Sequence, residues 1–106
     1  MKFTRSEKLK LVDRIAYQEN AIVSSEIVKN PSGRIVVFAF DEGEELSEHT
    51  APFEAFVTII DGAATISIAG EQHELETGES ILMPANIPHA VKANGRFKMV
   101  LNMIRA

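Results

Sequence analysis

The side chains available for chemistry are few. The 106 residues contain three histidines and no cysteine, so metal or acid–base work falls to imidazole and carboxylate. His49 begins an apolar run within SEHTAPFEAF (47–56), and His89 follows the segment PANIP. Imidazole titrates close to neutral pH and binds divalent ions through a neutral ring nitrogen. Two neutral ligands alone hold an ion weakly, so a carboxylate is wanted beside them. Other candidates read as structural. His73 shares strand parity with Leu75 and reads as a rim residue. Asp41, Glu42, Glu44, Glu45 and Glu48 read as a solvated turn. Ser24, Ser25 and Ser47 have no partnered base that would make a triad, and no glycine loop is arranged to cradle phosphate.

The elements that would position these residues are mostly strands. RIVVFAF (34–40) is β-branched and aromatic and follows the turn signal Asn30-Pro31-Ser32-Gly33. Phe56–Ile60 is apolar and stops at Asp61-Gly62, a hairpin signal. ATISIAG alternates, EQHEL follows Gly70, and Ile81–Met83 ends at Pro84. His89–Lys92, the turn Asn94-Gly95 and RFKMVLNMI complete the chain. Eight or nine short strands at this spacing predict an all-β sandwich or barrel. Residues 5–17 are the exception: Leu9, Leu11, Val12, Ile15 and Ala16 partly fit a helical face that Ser6 would cap.

Composition narrows the classes. Hydrophobic residues are 45 % and charged residues 25 %, ordinary for a soluble globular chain of one domain. A net charge of −4 and no basic block argue against nucleic acid. The absence of cysteine removes any disulfide framework. Neither a signal-peptide core nor a membrane-span-length apolar stretch is present, so a cytoplasmic protein is expected.

Two stretches resemble the cupin superfamily, and the small single-domain barrels of the cupin 2 type in particular. In the first motif, Gly43, five residues, His49, Pro52 and Gly62 stand in register. In the second, Gly78, five residues, Pro84, Asn86 in a glycine place and His89 do the same. Fifteen residues separate Gly62 from Gly78. The resemblance covers residues 34–104 and implies a double-stranded β-helix (jelly-roll) barrel, with residues 1–33 as an arm and first strands. The ligand set it implies is incomplete. Ala51 replaces a histidine, Ala55 replaces the glutamate and Ala93 replaces an asparagine. Two of four customary metal ligands remain.

On this resemblance His49, Ala51, Ala55, Met83, His89, Phe97 and Met99 are expected to line a barrel pocket. A divalent ion (Fe, Mn, Ni, Cu or Zn) would rest on His49 and His89. Glu54 lies one residue before the family's position and would join only through a bulge at Pro52-Phe53. Three functions follow. The first is binding of a small organic ligand with little or no metal. The second is a dioxygenase, isomerase or decarboxylase on a reduced two-histidine metal site. The third is metal-free acid–base catalysis, which lacks a partner acid. A homodimer is also expected, with residues 9–28 packing across a partner barrel.

Overall fold

A computed structural model describes residues 6–105; residues 1–5 and 106 lie outside it, including Arg5 at the start of the anticipated helix. The strands are β1 (Ile22–Asn30), β2 (Gly33–Phe40), β3 (Glu45–His49), β4 (Glu54–Asp61) and β5 (Ala63–Ile68), then β6 (Glu71–Glu76), β7 (Ser80–Met83), β8 (His89–Lys92) and β9 (Phe97–Ile104). They form two antiparallel sheets, one ordered β1-β2-β9-β4-β7 and the other β3-β8-β5-β6. This is the all-β double-stranded β-helix anticipated above. No helix among the described residues is long and apolar enough to cross a membrane.

Alternation places the core between the sheets. Val36 and Phe40 of β2, Ala55, Val57 and Ile59 of β4, and Phe97, Met99 and Met103 of β9 face inward and are buried. Ala64 and Ile66 of β5, Leu75 of β6 and Val91 of β8 meet them from the second sheet. Phe40 and Phe97, direct partners on β2 and β9, stack with centroids 4.5 Å apart. Truncating either to alanine removes a fully buried ring, a loss of about 3–5 kcal/mol.

The turn signals divide into two kinds. Asn30–Gly33 closes a true hairpin between β1 and β2, and Ala69-Gly70 closes one between β5 and β6. Asp61-Gly62 does not close a hairpin. It carries the chain from β4 in one sheet to β5 in the other. Gly62 takes φ +76°, and a Cβ there would stand 2.2 Å from the Arg96 carbonyl oxygen. The chain thus crosses between sheets where the backbone approach admits only glycine.

Two expectations for local structure are corrected. The helix over 5–17 reduces to one 3₁₀ turn, Leu11–Asp13, with no side-chain cap and with Lys10 extended. The arm is held to the barrel by polar and cation–ring contacts instead. Tyr17 donates its hydroxyl to Asp61, and Lys98 donates to the Val12 carbonyl at 2.6 Å. The Arg96 and Lys98 cations lie 5.3 and 5.0 Å from the Tyr17 ring centroid. The acidic run is the second correction. Its latter half, Glu45–Glu48, is β-strand rather than turn, and His49 ends β3 instead of starting a strand. Glu45 pairs across the ladder with Lys92, while Leu46 opposite Val91 packs on the core.

Beside that strand Asp41 accepts from the Asn20 and Glu42 amides at 2.6 and 2.9 Å and from Arg96 Nε at 2.8 Å. The Arg96 guanidinium and these amides hold its carboxyl below the usual carboxylate range.

Candidate functional site: the histidine mouth of the barrel

One end of the barrel gathers the ends of β3 and β7 and the starts of β4 and β8. There His49 and His89 are direct partners across the β3–β8 ladder. Cross-strand partners share a face, and the rings meet edge-on, with centroids 4.3 Å apart and planes at 69°. His89 has the parity of buried Val91 and is itself buried at 6 % exposure, whereas His49 is exposed at the rim.

Each ring is held by the carbonyl two residues before it. His49 Nδ1 lies 2.7 Å from the Ser47 oxygen, and His89 Nδ1 lies 3.2 Å from the Ile87 oxygen. A carbonyl can only accept, so each Nδ1 carries a proton, and in the neutral ring the lone pair is on Nε2. Burial pushes the His89 imidazole below its ordinary value. The Ile87 carbonyl opposes this, and neighbouring His49 adds to it.

The segment before His89 is set by Asn86, which takes the left-handed conformation at φ 63°. Asparagine tolerates that region better than most side chains. It thereby fills the glycine place of the second motif without glycine. The Asn86 amide donates to the Ala51 carbonyl at 2.8 Å, tying the two motif loops together across the mouth.

The other anticipated residues fall at several places. Ala51 is half-buried in the loop after His49. Ala55 is buried, level with Met83 on β7 and Met103 on β9. Phe97 and Met99 are buried farther down the barrel. Phe97 begins β9 beside Phe40, six residues, or about 20 Å of strand, before Met103. β9 runs toward the mouth, so Met103 is the β9 residue beside Ala55. Glu54 is exposed and alternates with inward Ala55, without a bulge to turn it. His73 is half-buried on β6, opposite Ile66, and its Nε2 is 4.0 Å from a Glu71 oxygen.

Two imidazoles with free Nε2 atoms are half of a metal site. The family's other two donor positions present methyl groups, and Glu54 stands on the outward face. Among the described residues no group of three His, Cys, Asp or Glu side chains could hold an ion. The donor set therefore does not fit the three-histidine, one-glutamate centre that the motifs imply. What remains is a pair of imidazoles at the same end of the barrel as the buried apolar residues Ala55, Met83 and Met103.

Comparison with known proteins accords with this architecture. The conserved SPY1581 protein of unknown function from Streptococcus pyogenes superposes with a TM-score of 0.93 at 32 % identity, over 100 % of this chain and 93 % of that one. A cupin 2 conserved barrel domain protein from Leptotrichia buccalis gives 0.89 at 38 % identity, over 92 % of this chain and 47 % of that one. Protein SchB of Streptomyces halstedii is 34 % identical over 65 residues, which is 60 % of this chain and 47 % of SchB. The chain thus aligns with about half the length of that curated relative. Residues 36–104 match the cupin domain family, and the chain belongs to it.

Proposed function

We propose that this cupin binds a small organic molecule at the histidine mouth without requiring a metal. The observation that carries the reading is the His49–His89 pair, two Nδ1-anchored rings in edge contact at the end of the barrel where the family's other two donor positions are Ala51 and Ala55. A ligand hydroxyl or amide can donate to a free Nε2 while its apolar part rests on Ala55, Met83 and Met103. Removing two charged or polar donors from such a floor favours apolar contact over ion capture.

A metal-dependent enzyme is the second reading. One observation favours it: an Nδ1–carbonyl bond is the usual outer support of a metal-binding imidazole. Elemental analysis of purified protein, with the His49→Ala/His89→Ala variant beside it, separates the two. Less than about one-tenth of an ion per chain, with organic ligands still raising Tm, supports the first reading. Near one ion per chain, lost in the variant, overturns it.

The same reading includes a homodimer. The arm bonds to its own barrel, so the better-placed surface is the outer face of the five-stranded sheet. There Phe56, Leu82 and Ile104 are 43, 46 and 63 % exposed, with Phe56 and Leu82 direct partners on β4 and β7. Light scattering of the wild type should give twice the chain mass, and Phe56→Glu/Leu82→Glu should halve it.

A further inference from the structure

Apart from the histidine pair, a cavity opens at the same end of the barrel, between the β1–β2 hairpin and the end of β9. Its volume is about 250 Å³, and Lys29, Arg34, Arg105, Phe53 and Met103 line it. Neither His49 nor His89 is among its lining residues. We infer that this cavity is a binding site for a small organic anion, a carboxylate carrying an apolar body.

Charge is the first argument. The protein has a net charge of −4, yet three of its eleven lysines and arginines surround this one cavity, and no acidic side chain lines it. Lys29 and Arg34 are direct partners on β1 and β2. Like charges placed opposite one another destabilise a ladder. Glu26 offers only a 3.4 Å contact to Arg34 between half-exposed side chains, the kind of surface pair that contributes little. Neither Lys29 nor Arg105 forms an ion pair among the described residues. Glu54 stands in an adjoining hollow that Arg105 also lines, outside this cavity. A bound carboxylate would relieve the repulsion, and guanidinium groups present paired donors matched to it.

Construction is the second argument. The cations sit on an ordered frame. The Asn30 side chain accepts from the Ser32 amide at 2.8 Å, and the Ser32 carbonyl accepts from the Arg105 amide at 2.9 Å. This fixes the turn between Lys29 and Arg34 against the last residues of β9. Arg34 is paired with Met103, whose side chain belongs to the core. Phe53 packs on the same core from the loop after β3. The cavity therefore has a cationic rim and an aromatic–thioether floor. The floor distinguishes an organic acid from a bare inorganic anion, and the modest volume limits the body to about one ring or a short chain.

The test is NMR titration of ¹⁵N-labelled protein at constant ionic strength with three probes. Benzoate has charge and body, benzamide keeps the body without the charge, and inorganic phosphate has charge alone. Benzoate should give saturable shifts at residues 29–34, Phe53 and Arg105, with a Kd on the order of millimolar, as expected for so small a ligand. Benzamide and phosphate should each bind at least about tenfold more weakly, and so should benzoate to Arg34→Gln/Arg105→Gln. Lys29→Gln is a second, separately folding check and should weaken benzoate severalfold. The His49→Ala/His89→Ala variant should retain wild-type affinity. Absence of saturable benzoate shifts overturns the inference, as does equal affinity in the arginine variant with its spectrum otherwise native. Phosphate binding as well as benzoate overturns the organic part. Loss of benzoate binding in the histidine variant, again with a native spectrum, would move the anion to the histidine mouth and overturn the assignment.

Discussion

His49 and His89 touch edge-on because they are direct partners on adjacent strands, one exposed at the rim and the other buried beneath it. The buried ring has a consequence for stability. Its pKa in the folded chain lies below the ordinary 6.5, chiefly through burial. As pH falls from neutrality, the unfolded chain takes up this proton before the folded chain does. The unfolded state then binds more protons, so stability falls with pH. The loss begins near 6.5 and levels off below the folded value, where both states are protonated. Urea midpoints measured from about pH 8 to about pH 5 should decline in the wild type and flatten in His89→Gln. An unchanged slope in the variant would assign the decline to other groups.

Two glycines of the first motif should respond differently to a methyl group. Gly43 and Gly62 both have positive φ, +83° and +76°, but a Cβ at Gly43 meets nothing within 4 Å. Gly43→Ala therefore carries only the left-handed backbone penalty, about 1–2 kcal/mol. At Gly62 the added Cβ would lie 2.2 Å from the Arg96 carbonyl oxygen. Gly62→Ala must also displace the crossing between the sheets, for a total of about 3 kcal/mol or more. Denaturation of the two variants side by side checks the ranking. Equal losses would show that the Arg96 segment yields freely.

The barrel was legible in the sequence because its marks are local. Gly62, Gly78, Pro84 and the alternating runs of β2, β5 and β9 depend on nothing distant. Even Asn86 could be placed in the glycine position by register. The structure gives the reason: asparagine tolerates the left-handed conformation found there. What was not legible depends on partners. Glu45–Glu48 looks like a turn until Lys92 and Val91 supply a ladder. The apolar residues near Leu11 suggest a helix until the barrel face and Asp61 anchor the arm. Asp61-Gly62 has hairpin chemistry but serves a crossing, because β4 finds its partners in β7 and β9. Along β9, parity says which residues face inward but not how far each lies from the histidines. That distance depends on the direction in which the strand enters the sheet. The cluster of Lys29, Arg34 and Arg105 needed the β1–β2–β9 register and carried no signal in sequence.

One of the bonds that hold the arm to the barrel should be testable by itself. Tyr17 donates to Asp61, and burial, followed by the Asp61 carboxylate, pushes its phenol up, so it remains a neutral donor across the working pH range. Tyr17→Phe keeps the ring under Arg96 and Lys98 but removes the hydroxyl. A hydrogen bond to a charged acceptor contributes about 1.5–3 kcal/mol. Part of that stays local, so global stability should fall by about 1 kcal/mol while amide exchange at residues 11–17 accelerates more strongly. Unchanged exchange there would mean that the arm is held mainly by the Lys98–Val12 contact and its apolar residues.

Restoring the lost donors should trade stability for metal dependence. Ala55 is 4 % exposed and faces Met83 and Met103, so Ala55→Glu places a carboxylate among apolar side chains. Without an ion the group must be buried unpaired or protonated, at a loss of several kcal/mol. Ala51 lies in a half-buried loop, and Ala51→His alone should alter stability by less than about 1 kcal/mol. In the double variant four donors would surround the mouth, and a divalent ion that binds only the folded state would stabilise it by mass action. Thermal unfolding in EDTA should therefore drop by about 10 °C or more relative to wild type. Added Ni²⁺ or Mn²⁺ should recover most of that loss. The wild type, with His49 and His89 alone, should move little under the same additions. If metal raises its Tm as much as the variant's, the two alanines are not what limits ion binding, and the metal-free reading of the mouth fails with them.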